Sequence, residues 1–280
     1  MTAAWAGALL LVVSASAYGL VPIFARLFYD SGGTPLAVLA FRYLAAAALL
    51  AAALPLAGRR LRASRAGLAV GGLLAVVSYG YLGSVRFIPV SVAALIFFTY
   101  PMLTVVTARL FGLERIGWRR GLGVIAVFLG LGLGLAVPAE LALDWRGVAL
   151  ASGAAVAYTA LLIVSQRAAS AGGSIDLLFQ ANLVCALVFL PLALLAGDVA
   201  AAGSLAGWIG LVGVAAAFLG GIVAFMAGIA RSGAIRAAAL SNLEPLVSIA
   251  GAVLFLGESL GAVQLAGIAL AGAGILAMSR

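Results

Sequence analysis

Residues Ala93 to Gly130 return, without a gap, 144 positions later as Ala237 to Gly274. The copies share Ala93/Ala237, Ala94/Ala238, Pro101/Pro245, Ala108/Ala252, Leu110/Leu254, Phe111/Phe255, Glu114/Glu258, Gly117/Gly261, Gly123/Gly267 and Gly130/Gly274. Each copy is an apolar span with a proline inside it, a short polar turn carrying one glutamate, and a second apolar span studded with glycine. A bilayer-crossing helix takes about 20 mostly apolar residues, and both spans of each copy qualify. The repeat is therefore a repeat of membrane helices.

Composition agrees. The chain is 66% apolar and only 9% charged, with a mean hydropathy of +1.27, whereas soluble domains run at about 45–50% apolar and about 25% charged. Its one cysteine, Cys185, rules out an intramolecular disulfide and argues against a cysteine metal cluster. There is no histidine, which removes histidine-based triads, haem ligation and zinc sites. No metal or other cofactor is expected. The net charge of +8 comes from sixteen arginines with no lysine; in a membrane chain it reads as topology rather than as affinity for nucleic acid.

In order, the first span runs from Trp5 to Phe28 and reads as retained, lacking the flanks of a cleaved leader. Thr34 caps a second span, Pro35 to Leu56, with proline at the first helical position. A basic loop with Arg59, Arg60, Arg62 and Arg65 follows, then spans over Gly67 to Arg86, Val90 to Phe111 and Gly121 to Val137. Past an acidic connection at Pro138 to Asp144 the pattern restarts at an offset of 140, with Trp5/Trp145, Gly7/Gly147, Leu10/Leu150, Tyr18/Tyr158, Gly32/Gly172 and Gly33/Gly173. Spans six to ten cover Trp145 to Val164, Ile175 to Leu195, Leu205 to Ile229, Ile235 to Phe255 and Leu260 to Met278. Moving from 140 to 144 requires four extra residues in the second copy between its second and fourth spans, about one helical turn.

Five is odd, so the second copy enters the membrane from the opposite side. The expectation is an all-α integral membrane protein of ten transmembrane helices in two inverted five-helix repeats, 1–138 and 145–280. With the N-terminus inside, twelve arginines fall on the inner face, and four (Arg26, Arg42, Arg86 and Arg146) on the outer. The positive-inside rule then places both termini in the cytoplasm. All four tryptophans sit at expected span ends, as in an interfacial belt. Inverted repeats let the two halves exchange conformations, which is the basis of alternating access, with the substrate site near the midplane at interrupted helices.

Several motifs together resemble the drug/metabolite transporter superfamily, and within it the ten-helix family whose repeat is called EamA. They are Phe41-Arg42-Tyr43, Tyr79-Gly80-Tyr81, Val92-Ala93-Ala94-Leu95 with Tyr100-Pro101, Leu110-Phe111-Gly112-Leu113-Glu114-Arg115, Leu243-Glu244-Pro245 and Leu256-Gly257-Glu258. The resemblance covers essentially the whole chain, which is also similar to bacterial inner-membrane exporters of amino acids, including aromatic ones. It implies a secondary transporter, not an enzyme, whose first, third, fourth, sixth, eighth and ninth spans surround the cavity. The partners implied are the bilayer and a small-molecule substrate, with protons as a candidate coupling ion.

Under that arrangement the expected substrate-binding residues are Tyr18, Tyr79, Tyr81, Phe97, Tyr100, Tyr158, Asn242 and Glu244, with Pro22 and Phe98 at similar depth. Tyrosine stacks on a planar ligand and hydrogen-bonds its polar end; the same rings also serve interhelical packing. Glu244 precedes Pro245 deep in an apolar span, where an ionisable group is costly and faces a cavity or a partner. Proton coupling or recognition of a substrate amine stands beside a structural role there. Arg42 is read as a snorkelling interfacial side chain, with a carboxylate anchor as the other reading. Pro101 and Pro245 each remove one backbone bond and are expected to kink their helices as a symmetric pair of hinges. Glu114 and Glu258 are expected to cap or pair with loop groups, and the glycines at 123, 130, 267 and 274 to permit close helix approach.

A membrane enzyme would need a constellation that a chain without histidine or lysine does not supply. A channel would carry a filter or a charged ring, and none is evident in the sequence. Sugars, cationic drugs and other small metabolites stay open as cargo.

Overall fold

The computed structural model describes residues 2–56, 64–110, 118–134, 143–169, 174–198, 203–232, 240–241 and 243–278. The ordered elements are α1 (Thr2–Asp30), α2 (Pro35–Leu56), α3 (Arg65–Ser84), α4 (Val90–Phe97), α5 (Tyr100–Leu110), α6 (Trp118–Gly134), α7 (Trp145–Ala169), α8 (Ser174–Leu195), α9 (Leu205–Ser232), α10 (Glu244–Leu256) and α11 (Ala262–Met278). Among the described residues there is no strand. Six helical stretches are long and apolar enough to cross a membrane. Three shorter apolar stretches, Val90–Thr104, Glu244–Leu256 and Ala262–Gly274, accompany them. The chain is a multi-pass membrane protein.

Local chemistry sets the helix ends. The Thr34 hydroxyl accepts from the Ala37 amide at 3.2 Å ahead of α2, Ser64 from Gly67 at 3.0 Å ahead of α3, and Ser204 from Gly207 at 3.1 Å ahead of α9. Each satisfies one amide that the first helical turn leaves without a partner. α10 stops at Gly257, whose φ of 67° is the left-handed conformation that terminates helices and that a side chain disfavours.

The expected kink at Pro101 is instead a break. The fourth span divides into α4 and α5 at Phe98-Thr99, and Pro101 is the second residue of α5. Its missing N–H falls in a first turn, where there is no helical acceptor to lose. The ninth span does the same 144 residues on: Leu243 precedes α10, and Pro245 sits in its first turn. The surroundings of these prolines are therefore those of two helix starts, one in each half.

Exchanging the two halves maps the helix contacts onto themselves. α1 packs along α9 and α3 along α7, while α6 pairs with α11 and α2 with α8. Gly7 meets Arg231 and Ser232, and its mate Gly147 meets Phe87 and Ile88. Those partners are 144 apart, while the glycines and the caps at Ser64 and Ser204 are 140 apart, so the four-residue insertion lies between the start and the end of α9, which is 28 residues long against 20 for α3. The α6/α11 contact is reciprocal: a Cβ on Gly130 would stand 2.6 Å from the Gly267 carbonyl oxygen, and one on Gly274 would stand 2.7 Å from that of Gly123. As the chain ascends α6 it descends α11, so this pair is antiparallel. α1 and α9 are antiparallel by the same reading, with Gly7 beside Ser232 and Gly213 beside Phe24.

These glycines stand where backbone meets backbone, the close approach that drives helix association in lipid. Gly130→Val is expected to destabilise the fold by about 1–3 kcal/mol through overpacking. The midpoint of thermal unfolding in detergent measures it, and an unchanged midpoint would show that the α6/α11 contact yields freely.

Candidate functional site

The two helix breaks face one cavity of about 420 Å³, within the usual range of small-molecule sites, about 300–1,000 Å³. Residues of α1, α2, α3, α4, α5, α7, α8, α9 and α10 line it, so both halves contribute. From the level of the breaks it extends toward the end of the molecule where α3 and α8 begin and α7 and α9 finish, past Val70, Leu177, Ser165 and Met226.

One wall is aromatic. Tyr81 stacks on Phe97 with centroids 4.4 Å apart, and Tyr100 meets Tyr158 edge-on at 4.4 Å. Phe97 lies 5.5 Å from both Tyr100 and Tyr158, which makes the four rings one cluster spanning the two repeats. Tyr18, the repeat mate of Tyr158, stands on α1 edge-on to Phe218 at 6.0 Å. A Cβ on Gly221 would lie 3.1 Å from the Tyr18 ring, so the absence of a side chain there leaves the ring its place.

The structure thus brings together Tyr18, Tyr81, Phe97, Tyr100, Tyr158 and Glu244 of the expected residues. Tyr79 is a correction. It is 41% exposed on the outer surface of α3 and lines no part of the cavity. Helix residues two positions apart are separated by about 200° of rotation, so Tyr79 and Tyr81 cannot share a face. Pro22 also lies off the cavity wall. Asn242 and Glu114 lie outside the described residues.

Glu244 opens α10 on the cavity wall, in the first turn, where the helix dipole favours a negative group. Its mate Tyr100 opens α5. No described residue forms a hydrogen bond or an ion pair with the Glu244 carboxyl.

Arg42 is the second correction. It does not snorkel to an interface: it is 5% exposed and lines the cavity, seven residues into α2, about 10 Å along the helix. One terminal nitrogen, Nη2, donates to Tyr43 Oη at 2.7 Å and to Ser78 Oγ at 3.0 Å, and those two hydroxyls bond each other. The guanidinium lies over the rings of Phe218 at 4.2 Å and Tyr43 at 4.5 Å. Depth in the span does not separate a buried arginine from a snorkelling one, so the sequence carried only the alternative. Asn182 was missed altogether; it is buried on the cavity wall, with its Nδ2 donating to the Leu178 carbonyl at 2.8 Å. The signal for it lay in the offset of 140, which makes it the mate of Arg42.

At the opposite end the cavity is shut. Ile23, Val85, Ile88, Val90, Ala151 and Ala252 form a buried apolar cluster from both halves. Over it, Glu258 reaches from the end of α10 to the start of α4. The amides of Val90 and Ser91 donate to its carboxylate at 2.7 and 3.1 Å, and the Ser91 hydroxyl donates at 2.5 Å. The expected structural role of Glu258 is therefore a cap supplied by one repeat to a helix of the other. Nearby, Arg26 pairs with Asp30 at 2.9 Å and donates to the Val85 carbonyl at 3.1 Å.

Comparison with known proteins follows this geometry. A family model described as the EamA-like transporter family matches residues 5–135 and again 145–280. The chain belongs to the EamA-like transporter family. That places it in the drug/metabolite transporter superfamily and makes the two halves two copies of the family's repeat. This EamA-like chain is 27% identical over 204 residues to the threonine/homoserine exporter RhtA of Salmonella typhimurium, in strains SL1344 and LT2. The match takes in 71% of this chain and 64% of those relatives' own length. A solved crystal structure superposes with a TM-score of 0.69 at 17% identity, over 97% of this chain and 95% of the other, which shows the fold.

Removing the cross-repeat cap tests the closed end. Glu258→Ala is expected to lower stability by about 1–3 kcal/mol, the cost of leaving charge-bonded amides bare. It is also expected to speed labelling of Ala93→Cys by a membrane-impermeant thiol reagent in a Cys185→Ala background. Unchanged labelling would mean that the apolar cluster alone closes this end.

Proposed function

We propose that this EamA-like chain is a secondary transporter of the bacterial inner membrane that exports neutral amino acids, aromatic ones included, by alternating access. The observation that carries the reading is the cavity itself: one aromatic-walled space between two repeats whose contacts interchange, sealed at one end and reached from the other. The relatives named as threonine/homoserine exporters support the cargo class.

On this reading the repeats are inverted and the path makes ten crossings, with α4 and α5 sharing one and α10 belonging to the ninth. The antiparallel pairs α1/α9 and α6/α11 support it, as does the parallel pair α3/α8, where Gly67 meets Gln180 and Gly71 meets Val184. With both termini cytoplasmic, as the arginine distribution favours, the cavity extends toward the cytoplasm, where an exporter loads. The breaks before Pro101 and Pro245 are the hinges. Rocking one group of paired helices against another would trade the seal over Ile88 and Val90 for a seal at the opposite end, by the exchange that inverted repeats allow. The aromatic wall accepts an apolar side chain, and Glu244 is the group through which a proton gradient couples.

The deciding experiment is solute counterflow in proteoliposomes with the purified chain, offering labelled phenylalanine, threonine, a quaternary amine, a sugar and a nucleoside. Saturable exchange of the amino acids is the expected result. Glu244→Gln is expected to keep counterflow but lose uptake driven by a pH gradient. Exchange confined to the amine or the nucleoside would overturn the cargo, and silence across the panel would overturn transport. In the same assay Tyr158→Ala is expected to weaken phenylalanine exchange about two- to tenfold, the worth of one aromatic contact. Tyr79→Ala is expected to leave it unchanged; equal losses in both would move the site off the cavity.

A further inference from the structure

Two residues that line the cavity each hold a fully buried polar atom without a hydrogen bond, Arg42 at Nε and Asn182 at Oδ1. The two atoms are of opposite sense. Nε carries a proton to donate, and Oδ1 can only accept. Neither assignment is arbitrary. Both protons of Arg42 Nη2 have acceptors in Tyr43 and Ser78, and the Asn182 amide must turn its nitrogen toward the Leu178 carbonyl to make its 2.8 Å bond, which leaves the oxygen free.

The charge of Arg42 is also unmatched. Among the described residues the one ion pair is Arg26 with Asp30, at the closed end. Aromatic faces and hydroxyls hold the Arg42 guanidinium, and no carboxylate bonds it. Buried charges are ordinarily paired and buried donors ordinarily bonded, because the desolvation they suffer is otherwise uncompensated. A wall that keeps one cation with a spare donor, and elsewhere one spare acceptor, is complementary to a ligand bearing an anionic and a cationic end.

We propose that Arg42 and its repeat mate Asn182 recognise the two charged ends of an α-amino acid, each side chain turning its unbonded atom into the cavity as the ligand enters, so that Arg42 Nε–H donates to the carboxylate and Asn182 Oδ1 accepts from the ammonium. This rests on the transport reading above and deepens it. The aromatic wall then takes the side chain, and selectivity for amino acids over amines comes from the arginine. Tyr43, Ser78 and Phe218 are positioning residues: they hold the guanidinium by hydrogen bonds and aromatic faces. The pseudo-symmetry supplies the logic, since repeat-related positions on α2 and α8 carry a donor in one half and an acceptor in the other.

The test uses four related probes on the full-length chain in detergent, read by isothermal titration: phenylalanine with both ends, 3-phenylpropionate with the carboxylate alone, phenethylamine with the ammonium alone, and 3-phenylpropionamide with neither. In the wild type phenylalanine is expected to bind most tightly and the amide most weakly. Arg42→Gln is expected to weaken phenylalanine and 3-phenylpropionate about 10- to 100-fold, the range of a hydrogen bond to a charged group, and to spare phenethylamine. Asn182→Ala is expected to do the converse, weakening phenylalanine and phenethylamine and sparing 3-phenylpropionate. An amide that binds as tightly as the carboxylate in the wild type overturns the proposal without any variant, so a misfolded Arg42→Gln leaves it open to refutation. So does a wild type that binds none of the four, or an Arg42→Gln that weakens all equally, which is the mark of a structural arginine. Carboxylate-selective binding without counterflow would instead sink the transport reading and leave the site standing.

Discussion

In the hydrocarbon of a membrane there is no water to bond a bare amide or carbonyl, so a chain that interrupts its helices there must bury the interruption in protein or open it to a cavity. The arrangement of this molecule follows from two such interruptions, at Phe98-Thr99 and ahead of Glu244. Both adjoin one cavity, and both are followed by a proline in a position where no helical bond is forfeited. The Phe98 amide still reaches the Ala94 carbonyl at 2.8 Å, and the Thr99 hydroxyl turns back to the Ile96 carbonyl at 2.7 Å. Little backbone is left bare beside the aromatic cluster.

Around that centre the packing falls into two kinds. Glycine contacts such as Gly130 with Gly267 bring backbones together over long stretches and have no side chain with which to adjust. They bind helices as rigid pairs. The closed end is built differently, from a small apolar cluster and the Glu258 carboxylate resting on the first turn of α4. Those contacts lie at one end of the molecule, where Gly147 packs on Ile88 and Gly251 on Ile23. Rigid pairs joined by a separable seal are what an alternating cavity requires.

How much of this is legible in the sequence depends on periodicity. The repeat, its two offsets and the helix limits are visible because an insertion or a glycine displaces a pattern; α2 runs from Pro35 to Leu56 as its sequence indicates. The cavity aromatics are visible for the same reason, and the error at Tyr79 came from counting depth without counting rotation. Pro101 and Pro245 signal a disturbance, but whether a proline kinks a helix or begins one depends on the residues before it satisfying their own backbone. Arg42 and Asn182 are hidden more deeply. Whether a polar atom finds a partner is a property of the packed neighbours, here Tyr43, Ser78, Phe218 and Leu178, which come from three different helices besides α2 itself.

The reciprocity of the glycine contacts has a bearing on where such a chain comes from. An interface in which residue i of one half meets residue j of the other, and j meets i, is the isologous contact of a two-fold homodimer. Each half of this chain therefore carries both sides of its own interface. An ancestor of one repeat would have assembled with a second copy of itself before fusion made the pair a single polypeptide. Fusion then freed the two copies to diverge, and the unlike pairs Arg42 with Asn182 and Tyr100 with Glu244 are what a symmetric dimer could never have held.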